Sequence, residues 1–481
     1  MPSSPASSPP TARLVQTAVP PDTIWSRITE NDFRHHLVML ETQTNAVPMD
    51  VLTADGDDDQ PDDSSSPFLP LRTEKQTAED FAYIAAVTEG AQSVAAVCLE
   101  QHVGDSLDTD EPNLVITVAG MDAINENVKA MLHGIVEQLQ YRASLENAKD
   151  PAESDRTEII FHLIIQQHEQ KLLGRLRSTK WTKPKHLART HKKSLWQDFE
   201  NLSHRAQHIY PRKPERKTRD AVTSSIQAIC KEYHDFESST TPNVQALQGL
   251  VRETFTWCKS PLIAEYASKL EVAGDTRQVT AALKTLRQLE KIGAYWRIAQ
   301  DLVAIADQYG HVFRQIHLEY ITPYASVPTS IAYESWAHTC HVHAEIQLVA
   351  ELAKRASKQD CNFSSAQTMR PRTIGTSKYL CYLCYLFLRF NGEFQILSTH
   401  GRLYDQWTVP DLAEYNIVTR NRFAAVLESM DSHVVDQIEK TKCVVWRAEP
   451  MTSRQNLLLL PAAGNEAEST LQPGTDTLSL T

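Results

Sequence analysis

Apolar residues recur three or four positions apart in a series of stretches between residues 75 and 308. This spacing places them on one face of an α-helix. It predicts helices at Ala78–Glu100, Ala123–Arg142, Glu158–Leu176, Arg219–Asp235, Val244–Trp257, Gln278–Ile292 and Trp296–Gln308. In the first of them, the apolar side chains are Phe81, Ile84, Val87, Ala91, Val94 and Cys98. We therefore expect a mainly α-helical domain over residues 75–308.

From residue 309 onward, short apolar runs alternate with amphipathic stretches. The runs predict β-strands at Val312–Ile321, Ser330–Ser335, Thr373–Ile374, Phe394–Ser398 and Lys442–Trp446. The amphipathic stretches predict helices at His343–Ala356, Cys381–Phe390 and Asp411–Glu439. Such alternation is typical of a sheet covered by helices. The last two strands are joined by a connection long enough for a helical crossover, so we expect them to be parallel neighbours. Residues 309–450 are thus expected to form an α/β domain.

Three segments lack the apolar residues that a packed core needs. Residues 1–22 are rich in Pro and Ser, and we expect a disordered tail. Residues 23–74 are predicted to be a poorly ordered segment with an acidic linker, in which Asp55, Asp57, Asp58, Asp59, Asp62 and Asp63 cluster. Residues 451–481 are predicted to be a second disordered tail.

The composition favours an intracellular protein, cytoplasmic or nuclear and not secreted. The first residues have neither the basic start nor the apolar run of a secretory signal. The sequence contains no run of about 18 apolar residues, so we predict no membrane-spanning helix. Eight cysteines in 481 residues are too few for a disulfide framework.

The charge is unevenly distributed along the chain. The formal net charge of -12 argues against a generic polyanion binder. Lys171–Arg219, however, contains fifteen Lys or Arg residues against three Asp or Glu residues. Its interleaved aromatic residues, Trp181, Trp196 and Tyr210, suit a nucleic-acid surface. A solvated helical face or an exposed loop that balances the acidic linker is the other interpretation, and both stay open at this point.

Two short motifs in the C-terminal third of the chain carry the candidate chemistry. His343-Ala344-Glu345 opens one predicted helix, and Cys381 and Cys384 open the next in a C-x-x-C arrangement. One imidazole and two thiolates are three ligands that suit zinc and leave a fourth position for water. Glu345 is close enough in sequence to sit beside that water and move its proton. Together these residues predict a catalytic zinc (Zn2+) site.

These motifs resemble those of known zinc enzymes. H-x-E followed by C-x-x-C is the arrangement of the zinc nucleobase deaminases. Residues 310–450 resemble the cytidine-deaminase-like superfamily, with HAEIQL at His343–Leu348 and IGTSKYLCYLC at Ile374–Cys384 as the specific part. More narrowly, they resemble a fungal-expanded group of inferred deaminases related to bacterial toxin deaminases. Many superfamily members have proline before the first cysteine, and this chain has Leu380 there.

The resemblance implies both a fold and roles for individual residues. The expected fold is an α/β deaminase-like three-layer domain with a mixed sheet, preceded by a mainly α-helical region. His343, Cys381 and Cys384 would hold the zinc, and Glu345 would shuttle protons. Ser377 and Lys378, in the turn before the C-x-x-C motif, and the aromatic residues Tyr404 and Trp407 are the predicted substrate contacts.

Other residues near the motifs leave alternatives open. Cys340 and His341 are rival ligands that would close the metal site, or ordinary neighbours. His400 either lines the pocket or is a surface histidine. The basic side chains Arg370, Arg372, Lys378 and Arg402 either meet phosphates or are solvated.

The sequence therefore predicts a hydrolytic deaminase that acts on a nucleobase in a nucleotide or nucleic acid. The alternative is a non-catalytic interaction protein, in which zinc only stabilises the C-terminal domain and the helical region binds a protein partner that the sequence does not identify.

Overall fold

A computed structural model describes the chain at residues 23–48, 66–90, 93–102, 113–143, 153–185, 193–239, 243–274, 276–358, 368–395, 398–441 and 457–458. The predicted disordered tail at 1–22 and most of the tail at 451–481 lie outside these residues. The acidic run at 55–63 and the predicted strand Lys442–Trp446 also lie outside them.

The first helices and strands, in chain order, are α1 (Glu30–Thr44), α2 (Leu71–Ala85), β1 (Ala95–His102), β2 (Leu114–Gly120), α3 (Glu126–Ala143), α4 (Glu153–Leu176), α5 (Phe199–Ile209), α6 (Arg216–Ser238), α7 (Val244–Lys259), α8 (Pro261–Glu271) and α9 (Arg277–Gln308). They are followed by α10 (Gly310–Phe313), β3 (Ile316–Tyr320), β4 (Val327–Pro328), β5 (Thr339–Cys340), α11 (Ala344–Lys358), β6 (Thr368–Met369), β7 (Gly375–Thr376), α12 (Tyr382–Asn391) and α13 (Ile417–Lys440).

The main sheet is mixed, as the resemblance implies. Its order is β3-β2-β1, with β6 and β7 both on the far side of β1. β1 runs antiparallel to β2, with Ala95 opposite Gly120, and antiparallel to β6 and β7. β2 and β3 are parallel. A separate two-stranded ribbon joins β4 and β5.

Each face of this sheet has its own hydrophobic core. Val97 and Leu99 of β1 pack on the side of α2, α3, α4 and α9. The alternate residues Ala96 and Cys98 pack on the side of α1, α11, α12 and α13. Because successive side chains of a strand point to opposite faces, a strand that is buried on both sides is apolar throughout. This explains the continuous apolar run from Ala95 to Leu99.

Most of the predicted helices between residues 123 and 308 are present, within a few residues of their predicted ends. The structure joins two of them, Gln278–Ile292 and Trp296–Gln308, into the single helix α9. Gly293, which lies between the two predicted helices, does not break α9 but allows it to pack closely on a neighbouring helix. A Cβ at Gly293 would lie 3.0 Å from the backbone of Phe255 in α7, so glycine allows these two helices to pack closely.

The prediction for Ala78–Glu100 is wrong in its second half. The helix ends at Ala85, and the residues from Ala95 onward form the central strand β1. β2 also lies within residues 75–308, so the sheet draws two strands from the stretch assigned to a helical domain. The helices from α3 to α10 are thus inserted between adjacent strands of one sheet. The predicted boundary at residue 309 therefore does not separate the helices from the strands of this sheet.

Within the segment 23–74, the described residues 23–48 and 66–74 are more ordered than predicted. Thr29 caps α1 by accepting a hydrogen bond from the backbone N–H of Asp32. The helix buries Phe33, Leu37 and Leu40 and packs against α13. These apolar residues follow the helical repeat, so α1 is held by an ordinary amphipathic face.

The predicted strands of the C-terminal third are shorter or displaced. Val312–Ile321 is a strand only from Ile316, because its first residues belong to the turn α10. Ser330–Ser335 is not a strand, and Thr373–Ile374 is replaced by β7 two residues later. The predicted parallel pairing of Phe394–Ser398 with Lys442–Trp446 stays a prediction, because residues 396–397 and 442–446 lie outside the described part.

The helices predicted around the motifs agree better with the structure. His343–Ala356 corresponds to α11 and Cys381–Phe390 to α12, whereas Asp411–Glu439 is helical only from Ile417. Gly392 adopts a left-handed conformation at φ 69° and ends α12, as glycine commonly does at helix C-termini. None of the helices in the described ranges is both long and apolar enough to cross a membrane.

Candidate metal centre

The two motifs meet at the starts of α11 and α12. His343 directly precedes α11, Cys381 is the N-cap residue of α12, and Cys384 lies in the first turn. The Sγ atom of Cys381 accepts a hydrogen bond from the backbone N–H of Cys384 at 3.4 Å. This position near a helix N-terminus favours a thiolate over a thiol.

A third segment, residues 398–408, connects the two motifs. The backbone N–H of His400 donates to the carbonyl oxygen of Leu380 at 3.0 Å, just before the C-x-x-C turn. The backbone N–H of Thr408 donates to the carbonyl oxygen of His341 at 3.0 Å, just before α11. The main chain therefore holds the starts of both helices in one place.

Three candidate ligand atoms converge at this point. The Nδ1 atom of His343 lies 3.5 Å from Cys381 Sγ and 3.4 Å from Cys384 Sγ. All three atoms lie within 4.8 Å of one another. Both cysteines are buried, and the histidine is half-buried. Among the residues that the structure describes, this is the group of His, Cys, Asp and Glu side chains arranged to hold a metal ion.

These distances fit a tetrahedral zinc ion. With bonds of about 2.1 Å to nitrogen and 2.3 Å to sulfur, a tetrahedral zinc ion separates the two ligand atoms by roughly 3.6 Å. The two N···S distances agree with that value. Two thiolates and an imidazole are also donors that favour zinc over magnesium or calcium. The residues present therefore fit the metal that the motif predicts.

The protonation of the cluster also suits a cation. Burial disfavours a thiolate at Cys381, but hydrogen bonding from Cys384 and the neighbouring His343 hold the pKa of Cys381 well below its ordinary value. Burial raises the pKa of Cys384 well above its ordinary value. The protein alone thus stabilises one thiolate and one thiol. A divalent cation would supply the charge that a second thiolate needs, with release of a proton.

Glu345 lies against this cluster. Its Oε2 atom is 3.6 Å from Cys384 Sγ, and the residue is only 4 % exposed. Burial raises the pKa of the Glu345 carboxyl group above its ordinary value, although the nearby His343 opposes the rise. The structure therefore places a carboxyl group directly beside the candidate ligands, outside the set of three converging atoms.

Tyr404 and His400 also adjoin the cluster. The ring of Tyr404 lies 6.3 Å from that of His343 and 6.1 Å from that of His400. His400 is buried, so its interpretation as a surface histidine is wrong. Its Nδ1 atom accepts the backbone N–H of Arg402 at 3.1 Å, and burial lowers its pKa. The neutral imidazole therefore carries its proton on Nε2 and can donate there.

Trp407, the other aromatic residue predicted to contact substrate, is a core residue in the structure. It is 1 % exposed and packs against Phe33 and Phe387. Its indole N–H lies close enough to Cys384 to favour the thiolate, although it makes no hydrogen bond of regular geometry. This burial gives Trp407 a packing role in place of the predicted stacking on a base.

The side chains of Ser377 and Lys378 contact the backbone at and before the start of β1. The hydroxyl group of Ser377 accepts the backbone N–H of Ala95 at 3.1 Å, which fixes β7 to β1. The ammonium group of Lys378 donates to the carbonyl oxygen of Gly90 at 2.8 Å. The contacts of these side chains are thus to the backbone of Gly90 and Ala95, and neither is among the side chains that converge with His343.

The rival ligands Cys340 and His341 lie outside the cluster. Cys340 is buried and accepts a hydrogen bond from Arg34, while His341 is exposed and contacts Thr339. Neither belongs to the group of converging ligand atoms. Within the described residues, the structure gives no fourth protein ligand at this point.

Of the other basic side chains near the motifs, Arg372 and Arg402 also have structural partners. The guanidinium group of Arg372 forms an ion pair with buried Glu74 at 2.6 Å. That of Arg402 lies over the Tyr404 ring, 5.3 Å from its centroid. For Arg370, both interpretations stay predictions.

The basic stretch Lys171–Arg219 belongs to the packed helical region. Trp181, Trp196 and Tyr210 all pack against its hydrophobic core. Arg177 forms an ion pair with Asp198. In the described parts of the stretch, the aromatic side chains are therefore committed to packing, which disfavours the interpretation as a nucleic-acid surface.

Comparisons with known proteins agree with this geometry. Residues 342–411 match the family model of the OTT_1508-like deaminases. The match includes all three candidate ligands, Glu345, His400 and Tyr404. No curated protein and no solved structure gives a significant match to the chain. Residues 342–411 therefore identify a deaminase-like domain of the cytidine-deaminase-like superfamily in this chain.

Proposed function

We propose that the protein is a zinc-dependent hydrolytic deaminase that acts on a nucleobase in a nucleotide or nucleic acid. The observation that supports this most directly is the convergence of His343 Nδ1 with two cysteine sulfurs at distances of 3.4 and 3.5 Å, next to the Glu345 carboxyl group. In this proposal, His343, Cys381 and Cys384 hold the zinc ion. The family match over residues 342–411 supports the reaction class.

Hydrolytic deamination replaces a ring amino group with oxygen from water and releases ammonia. A bound zinc ion supplies Lewis-acid activation of water at such a site. In this proposal, Glu345 accepts the first proton of the water and delivers it to the ring nitrogen. It then accepts the second proton, from the hydroxyl group added to the ring carbon, and delivers it to the departing amine, which leaves as ammonia. Burial next to the cluster limits competition from bulk water for these protons.

The neighbouring side chains would hold the base. Tyr404 is half-buried beside His343 and presents an aromatic ring at the edge of the cluster. His400 donates from Nε2, because its Nδ1 already accepts a backbone N–H. A donor of this kind suits an acceptor on the edge of a nucleobase. In this proposal, Trp407 and Ser377 support the fold and do not touch the substrate.

We also propose that the domain has the three-layer deaminase arrangement and belongs to the fungal-expanded group related to bacterial toxin deaminases. A separate hydrophobic core on each face of the sheet supports the three layers. We propose an intracellular site of action, cytoplasmic or nuclear. The unpaired cysteines of the described residues, which include Cys381 and Cys384, support a reducing compartment.

A non-catalytic protein with a structural zinc ion is the second candidate. Its supporting observation is the burial of the site, since Cys384 is fully buried and Glu345 almost so. In that case the helical region would bind a protein partner, and Glu345 would have no role in proton transfer.

The Glu345→Gln variant distinguishes the two candidates. We expect it to fold, to retain zinc and to lose deamination by about 10²-fold or more, because glutamine keeps the shape but cannot transfer the proton. Glu351→Gln is the matched control, since Glu351 lies on the same helix but pairs with Lys354 at 2.9 Å. Ammonia release and the mass of the base report on cytosine and adenine in nucleosides, nucleotides, single-stranded DNA and RNA.

Each outcome has a defined meaning. A zinc-loaded parent protein that is inert on all these substrates would favour the structural-zinc candidate. An active parent with an equally active Glu345→Gln variant would retain the reaction class but rule out the proton-transfer role.

A further inference from the structure

A cluster of basic side chains lies away from the metal ligands, where the helical region meets the sheet. Lys171 and Arg175 come from α4, Lys291 from α9, and Lys378 from the turn after β7. Together with Glu89 they line a cavity of about 30 Å³. Glu89 is exposed, so the cavity opens to solvent there. Four cations from three separate parts of the chain therefore face one small space.

This charge is only partly neutralised. Glu89 is the one acidic side chain among the described residues that line the cavity, and it pairs with Arg175 at 2.8 Å. Lys171 donates to the carbonyl oxygen of Ala86, and Lys378 donates to that of Gly90 at 2.8 Å. A carbonyl oxygen satisfies a donor but carries no net charge. The lysines thus remain without a carboxylate partner of their own.

Lys291 is the most informative member of the cluster. The residue is only 6 % exposed, and the charges that act on its ammonium group include the repelling Arg175 and the attracting Glu89. Its carbonyl oxygen accepts the hydroxyl group of Tyr83 at 3.0 Å, so the backbone of α9 is held in place beside the cavity. Burial and the nearby Arg175 lower the pKa of Lys291 to about 8. Because four basic side chains share the single carboxylate of Glu89 around this cavity, a bound anion would relieve their mutual repulsion.

We propose that this cavity binds a phosphoryl anion, either free inorganic phosphate or the phosphate group of a nucleotide. Lys171, Lys291 and Lys378 provide the positive charge, and the guanidinium group of Arg175 adds directional donors. The cavity has room for about two water-sized groups. A phosphoryl group therefore enters with part of its oxygens inside and the remainder at the mouth beside Glu89. The proposal does not depend on the deaminase activity.

The position of the cavity gives the site a structural consequence. Lys378 lies three residues before Cys381, and Ser377 lines the same cavity. Lys171 and Lys291 belong to helices inserted between two strands of the sheet. An anion bound by all of them ties the helical region to the turn that leads into α12. Binding should therefore stabilise the folded protein as a whole.

Thermal unfolding of the full-length protein with inorganic phosphate tests the site. Ionic strength is kept constant with sodium chloride, so that general screening does not contribute. We expect a saturable rise in the melting temperature of the parent protein. Lys291→Met should bind phosphate at least tenfold more weakly and should be more stable than the parent in phosphate-free buffer, because it removes charge repulsion.

Lys284→Met is the matched control, since Lys284 is an exposed lysine on the same helix. It should respond to phosphate as the parent does. A second variant, Lys378→Met, should also weaken binding and does not alter the interior of α9. Absence of a saturable phosphate effect in the parent, or an unchanged effect in both Lys291→Met and Lys378→Met, would overturn the proposal.

A second titration identifies the source of the phosphoryl group. A nucleoside 5′-monophosphate is compared with inorganic phosphate and with the unphosphorylated nucleoside. Tighter binding of the monophosphate than of inorganic phosphate would assign the site to a nucleotide. Equal binding of the two, with none by the nucleoside, would assign it to the phosphate group alone. Binding of the nucleoside as tightly as of the monophosphate would contradict a phosphoryl site.

Discussion

Glu41 offers a test of how α1 holds the segment beside the metal centre. It lies on α1, is 6 % exposed and accepts the backbone N–H of Asp405 at 3.3 Å. Burial, reinforced by the Asp405 carboxylate, raises the pKa of Glu41 from 4.5 to about 8, while Arg402 opposes the rise. Glu41 also contributes to the raised pKa of Tyr404, which is mainly due to burial. Glu41 is therefore protonated in the folded protein at neutral pH.

This pKa makes the free energy of unfolding depend on pH. Between pH 4.5 and about 8, the unfolded chain has lost the Glu41 proton, whereas the folded protein keeps it. Stability from this group is therefore complete below pH 4.5 and is lost as the pH rises towards 8, by about 1.4 kcal/mol for each pH unit. Across the whole interval, the loss approaches roughly 5 kcal/mol.

The Glu41→Gln variant removes this titration but keeps an oxygen that can accept the Asp405 N–H. Urea unfolding from pH 5 to pH 9 should give a flatter pH profile for the variant than for the parent. At pH 8 the variant should be the more stable protein, by a few kcal/mol. Glu428→Gln, at a half-exposed position paired with Arg27, should keep the parental profile. Parallel pH profiles for the parent and Glu41→Gln would refute the reasoning.

Two further predictions concern the metal and the packing of the sheet. The parent protein should contain about one zinc ion per chain, and the double variant Cys381→Ser, Cys384→Ser should lose it. Cys230→Ser, in α6, should retain it by metal analysis, and full zinc in the double variant would remove the assignment. Gly375→Ala should lower the free energy of unfolding by about 1–3 kcal/mol or more, because a Cβ there would overlap the backbone of α2. Gly249→Ala, with open space around its Cα, should have no such cost in urea unfolding, and an equal loss in both variants would contradict the packing argument.

The helices that carry the motifs could be predicted because their local signals agree. α11 has an amphipathic face that repeats over its whole length, and α12 begins at a capping cysteine and ends at a left-handed glycine. Both signals are local and survive in the fold. The ligand set could be predicted for the same reason, since the spacing within each motif is short.

The strands β1 and β2 could not be predicted with equal ease. The run Ala95–Leu99 is buried on both faces, and a short continuous apolar run does not distinguish a strand from a buried helix. Leu114–Gly120 carries a usable signal for a strand, because its Val-Ile-Thr-Val core consists of β-branched residues. The pairing of β2 with β3 across nearly two hundred intervening residues has no local signature.

Burial of single residues near the site depends on contacts from distant parts of the chain. Trp407 packs against Phe33 of α1, and the segment that includes His400 is held by the backbone of Ala46 through Leu403 at 2.9 Å. The sequence predicted that part of the chain to be poorly ordered. Because the contacts of α1 have no local signal in the sequence, the sequence alone predicts Trp407 and His400 to be exposed residues of a loop.

The position of the metal centre therefore depends on more of the chain than the matched residues 342–411. Arg372, in the segment between β6 and β7, forms an ion pair with Glu74 of α2, and α2 packs on Gly375 so closely that only a glycine fits. On the other side, Gln347 in the first turn of α11 donates to the carbonyl oxygen of Gly120 at 2.9 Å. The cysteine turn is thus positioned through α2 and β1, and the histidine through β2. Both supports precede helices α3 to α10 in the chain, whereas the candidate ligands follow them, so the site depends on contacts of β1 and β2 with residues that are distant in sequence.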